Sequence, residues 1–238
     1  MNPWLHILGL TLLPGLAMPL GGLIASREHI HPRWLETELR HAVLAFGAGA
    51  LLAAVALVLV PEGMRGLPVW LTALCFAGGG VAFMLVDRLL ASQRTSASQA
   101  VDMLLDYIPE ALALGAAVAL GSPGGLLLAG LMALQNLPEG FNAYRELHRD
   151  ARFGTGYILG LFTLIALLGP LAGFSGYLWL APHPGVVNAI MLFASGGILY
   201  SVFEDIAPQV PLQRHWLPPL GAVAGFLLGM VGQALTGA

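Results

Sequence analysis

Charge is scarce in this sequence. Only 10% of its 238 residues are Asp, Glu, Lys or Arg, 57% are hydrophobic and the mean hydropathy is +0.79, whereas soluble domains carry roughly 25% charged residues. That excludes an ordinary water-soluble fold and identifies an integral membrane protein. Lysine is absent altogether, so all ten basic residues are arginine. A single cysteine, Cys75, excludes an intrachain disulfide and reads as a small core residue. The opening residues MNPWLH contain no Arg or Lys and lack the basic region of a signal peptide, so the first apolar run is expected to be kept as a span. There is no nucleotide-binding motif, and neither ATP nor a nucleic acid is an expected partner.

What remains is apolar sequence in long runs. Crossing the hydrocarbon takes about 20 apolar residues per helix, and eight such runs lie near 4–25, 41–62, 68–91, 101–121, 124–144, 154–181, 185–207 and 216–236. They occupy nearly the whole of residues 1–238, which predicts one all-α transmembrane domain: a polytopic bundle of eight helices in a lipid bilayer. The loops after spans 1, 3, 5 and 7 hold nine arginines, and the opposite side holds only Arg65. By the positive-inside rule the arginine-rich loops are cytoplasmic, which places both termini outside a cell (inner) membrane. Gly156/Gly160, Gly169/Gly173 and Gly221/Gly225/Gly229 give small helix faces. They are read as packing faces within the bundle, with a homodimer interface as the alternative. The polar stretch ASQRTSASQ at 91–99 is a candidate hinge.

Asp106, Glu110 and Glu139 fall well inside spans 4 and 5, with no Arg, Lys or His at comparable depth. An ionised Asp at mid-membrane costs at least about 2.5–3.5 kcal/mol, so such groups mark ion or proton routes. Their countercharge is a proton or a bound cation. The stretches MLLDYIPEALA (103–113) and MALQNLPEGFN (132–142) superpose at an offset of 29 residues. Helical spacing aligns Asp106 with Glu110 and Gln135 with Glu139, Asn136 lies three residues from Glu139, and Met103 and Met132 extend the two stripes. Antiparallel spans would bring Asp106 level with Glu139 and Glu110 level with Gln135. Pro109 and Pro138 free the carbonyls of Leu105 and Leu134 beside the acids. Carboxylates, amides and carbonyls together suit a divalent cation, and the metal-binding candidates are therefore Asp106, Glu110, Gln135, Asn136 and Glu139.

With its two Pro-Glu motifs on neighbouring spans of an eight-span chain, the sequence resembles the Zrt/Irt-like (ZIP) metal transporter family. That family typically carries H-N-x-P-E-G on span 4 and H/Q-N/D-x-P-E-G on span 5. QNLPEG at 135–140 fits the second pattern, GGILYSVFEDIAPQ at 196–209 resembles the seventh span, and LLAAVALVLVPEG at 51–63 the second. In DYIPEA at 106–111, Asp106 stands where the family has His, Tyr107 where it has Asn and Ala111 where it has Gly. Gly169 precedes Pro170 where span 6 usually offers Glu. The resemblance implies a bundle of the ZIP type, and a cargo, not a prosthetic group, of the zinc, iron, manganese or cadmium class. It also implies one oxygen-rich site, with Tyr107 filling or gating the space of a second metal. Candidate pathway residues are Glu62 at the outer end of span 2 and Glu204 and Asp205 at the inner end of span 7, with Met103, Tyr107 and Met132 around the site. His29 and His31 of EHIHPR (28–33) could take up an emerging ion. Inward transport of a divalent cation is the leading expectation, with no enzyme activity. A metal sensor or scaffold without flux, and an intramembrane enzyme, are the alternatives.

Overall fold

The computed structural model describes residues 2–27, 33–93, 98–121, 124–149, 153–207 and 216–236. Every element among them is helical, because lipid offers no partner to a backbone N–H or C=O and each segment must satisfy its own. The described residues form eight rods. Helix α1 is Pro3–Arg27. Helix α2 is Arg33–Ala53, continued by a π-helical turn at Ala54–Leu59 and by Val60–Gly63. Then come α3 (Val69–Gln93), α4 (Ser98–Leu120), α5 (Gly124–Arg149) and α6 (Thr155–Ser175, extended by Gly176–Leu180). The last two are α7 (Pro184–Ser201, extended by Val202–Ile206) and α8 (Leu217–Thr236). Helix α2 begins at Arg33 instead of near 41, since helical hydrogen bonding carries on through the polar RWLETELR stretch beyond the apolar run. The EHIHPR residues 28–32 and the hinge residues 94–97 lie outside the described residues.

Six of these rods are long and apolar enough to cross a membrane. The chain is thus an all-helical, multi-pass membrane protein. Helices α4 and α5, which bear the acids, are not among the six. Helix α4 is enclosed by protein: of its described side chains only Ala119 is exposed. Helices α3 and α8 lie at the other extreme, mostly facing outward. Exposed Trp4, Trp70 and Trp179 lie at one end of their helices' common alternation, and exposed Tyr157 and Trp216 at the other, as expected of rings seated at two lipid–water boundaries.

The closest backbone approaches join four parallel pairs: α1 with α5, α2 with α8, α3 with α7 and α4 with α6. Each is closed by two reciprocal glycines: Gly21 over the Leu137 carbonyl and Gly140 over Met18, Gly49 over Ala222 and Gly225 over Phe46, Gly79 over Phe193 and Gly196 over Phe76, Gly115 over Gly173 and Gly176 over Leu112. At all eight a Cβ would come 1.8–2.2 Å from the facing carbonyl oxygen. Only glycine allows that approach, which brings Cα–H groups against carbonyls. The Gly169/Gly173 and Gly221/Gly225/Gly229 faces do pack within the bundle. The Gly156/Gly160 face does not: both glycines are exposed, with nothing within 4 Å of an added Cβ. Spacing defines a small face but not what it meets.

Candidate metal-ion site

Helices α4 and α5 pack antiparallel in the register expected of their repeated motif. Glu110 and Gln135 are both fully buried, and Gln135 Nε2 donates to both carboxylate oxygens of Glu110, at 3.3 and 3.2 Å. Among the described residues this amide is the only hydrogen-bonding partner of Glu110, and no cationic side chain pairs with it. Gln135 Oε1 is buried and has no hydrogen-bond partner. Buried polar atoms are nearly always satisfied, so a fully enclosed carboxyl held by one amide, whose own oxygen is left over, marks a place for another group.

The same register carries Asp106 and Glu139 to equivalent positions one turn towards the other end of the bundle. Asp106 is 4% exposed and Glu139 is partly buried. Among the described residues no three His, Cys, Asp or Glu side chains form a group that could hold a metal ion by themselves. Met103 and Met132 are buried in the surrounding apolar core.

The prolines at the acids differ from two others. The carbonyl freed by Pro61, that of Leu57, accepts from Gln233 Nε2 of α8 at 3.3 Å, and the carbonyl freed by Pro170, that of Ala166, accepts from the Tyr107 hydroxyl at 3.1 Å. None of the described side chains donates to the carbonyls of Leu105 and Leu134, freed by Pro109 and Pro138, nor to those of Leu10 and Gly15 in α1.

Two residues read as ligands or gates turn out to brace helix α1. Asn136 Nδ2 donates to the Pro14 carbonyl at 3.0 Å. The Tyr107 hydroxyl lies 2.6 Å from the Thr11 carbonyl as well as beside Ala166, wedged between two glycines: a Cβ on Gly169 would come 1.8 Å from it and one on Gly15 2.2 Å. Tyr107 therefore occupies the space that any longer residue at 169 would need. The sequence carries one hint of this, a tyrosine deep in a span, which must find a partner for its hydroxyl.

The outlying candidates are dispersed. Glu62 is partly buried and pairs with Arg65, Glu204 is exposed, and the side chain of Asp205 falls outside the described residues. Asn188, not singled out by the sequence, donates to the Arg65 carbonyl. No protein-family model matches this chain, and no curated protein matches it.

Proposed function

We propose that the chain is a permease that carries a divalent metal cation through the bundle without ATP, along a path between α4 and α5. The observation that carries this reading is the enclosed Glu110–Gln135 pair, with its unused amide oxygen and no cationic partner among the described residues. A divalent ion suits both defects. Turning the Gln135 amide over would present Oε1 to the ion beside the Glu110 carboxylate, and an amide's two ends are interchangeable at no cost in shape. Asp106, Glu139 and the open carbonyls of Leu105 and Leu134 would supply further hard oxygen ligands one turn away. The Zrt/Irt-like character of QNLPEG supports the same reading. Uptake of Mn²⁺ or Zn²⁺ into liposomes holding the purified protein, compared with Glu110 variants, tests it; binding without flux would favour a sensor.

Orientation belongs to the proposal. With the arginine-rich ends in the cytoplasm, cysteines placed at Asn2 and Ala238 in a Cys75→Ala background should both react with an impermeant thiol reagent on intact cells. Labelling of one terminus alone would rule out eight crossings.

Selectivity follows from ligand type. Oxygen ligands suit Mn²⁺, Mg²⁺ and Ca²⁺, while imidazole raises the preference for Zn²⁺. Asp106→His is expected to shift competition between Mn²⁺ and Zn²⁺ towards Zn²⁺ and, by removing one negative charge, to weaken hard-ion binding. An unchanged preference in competition assays would remove Asp106 from the ion's surroundings.

A further inference from the structure

The end of the bundle away from the other described arginines carries a small polar assembly. Helix α2 stops there in a turn: the Arg65 amide donates to the Glu62 carbonyl at 3.0 Å, and Gly66 ends the helix with φ of +73°, a conformation that favours glycine. Arg65 Nη1 lies 3.0 Å from Glu62 Oε2. From the start of α7, Asn188 Nδ2 donates to the Arg65 carbonyl. The backbone of Arg65 is thus pinned on both sides, while its side chain is 70% exposed and reaches only the Glu62 carboxylate among the described residues.

Glu62 and Asn188 also line a cavity of about 40 Å³, walled by Val58, Ala117, Leu128 and Met191. That volume accepts a water or a small ion. Its position is telling. Ala117 is seven residues from Glu110 on α4 and Leu128 seven from Gln135 on α5, so the cavity stands two helical turns, about 10 Å, from the buried pair and on the same helix–helix seam.

We propose that this cavity is the outer vestibule of the cation path and that Arg65 is its tethered gate, the guanidinium occupying the Glu62 carboxylate until an incoming divalent cation displaces it. The inference rests on the permease reading above. An ion pair whose guanidinium is 70% exposed is weak, as a gate that must yield to a doubly charged competitor requires. Asn188 and Gly66 keep the root of the side chain in place, so the guanidinium falls back once the ion has moved on. Arg65, the one arginine at that end among the described residues, would otherwise repel the cargo.

Concentration-dependent Mn²⁺ uptake into liposomes tests the gate. Arg65→Gln should lower the half-saturating Mn²⁺ concentration about three- to tenfold without lowering the maximal rate, the effect of removing one positive charge close to a divalent ion. Arg65→Lys should stay near the parent, and adding Glu62→Gln to Arg65→Gln should cancel the gain. Asn188→Ala, which loosens the tether and keeps the charge, should shift half-saturation in the same direction by less, and it serves if Arg65→Gln does not fold. A role limited to capping the end of α2 would lower the melting temperature and leave half-saturation unchanged, which overturns the gate. Absence of Glu110-dependent uptake in the parent would overturn the permease reading, and the gate with it.

Discussion

Glu110→Ala is expected to abolish divalent-cation uptake while the protein remains folded and monodisperse. Glu110 is fully buried, bonded only to Gln135 among the described residues, and surrounded by apolar core. Its carboxyl is held by the Gln135 amide nitrogen, and the oxygen of that amide has no hydrogen-bond partner. Loss of a residue that only orients a metal ligand commonly costs about 10–100-fold, so on the proposed permease reading, in which Glu110 is itself a ligand, its loss should reduce flux at least about a hundredfold. Stability should move little: the change removes an expensive buried acid along with its hydrogen bonds to one amide. Glu139→Ala should act in the same direction. The readouts are initial uptake rate and the thermal midpoint of the same preparation. Near-normal flux in both variants would move the route away from α4 and α5, and a protein that fails to fold would make Glu110 a packing group.

Gly169→Ala should produce the largest loss of stability. The new methyl would lie 1.8 Å from the Tyr107 hydroxyl oxygen and 2.4 Å from Cζ, and the ring has nowhere to go: it is fully buried, and its hydroxyl is held by the Thr11 and Ala166 carbonyls. Overpacking of this kind costs about 1–3 kcal/mol, which lowers the melting temperature by about 3–10 °C in a chain of this size. Tyr107→Ala alone should also destabilise, by opening a cavity and by stripping the donor from a carbonyl that Pro170 cannot serve. Combined, the two changes should cost clearly less than their sum, because the alanine methyl enters space the ring has left. Strict additivity would mean that the two residues do not share this slot.

Much of this was legible beforehand. Spans read from hydropathy match the helices to within a few residues, except at the start of α2. The Glu110–Gln135 contact also followed from the sequence, since two copies of one motif on antiparallel neighbours have a single register that aligns their polar stripes. Asn136 has a second neighbour that its spacing did not announce. It sits on the polar side of α5, yet its amide serves the Pro14 carbonyl of α1, and spacing along one helix carries no information about which third helix approaches it.

The sequence by itself determined the solvent, the helical class, the approximate positions of the rods and the Glu110–Gln135 register of the two acid-bearing motifs, because transfer free energy and the 3.6-residue period act over one or two helices at a time. Only the tertiary structure decided that α4 is sheathed in protein, that Gly169 and Gly15 grip a tyrosine while Gly156/Gly160 lie exposed, and that Arg65, Glu62 and Asn188 meet at one cavity. These depend on which of several equally small or equally polar faces are brought together. In a bilayer that choice is made by van der Waals fit and by stranded carbonyls seeking donors across the bundle, neither of which has a period along the chain.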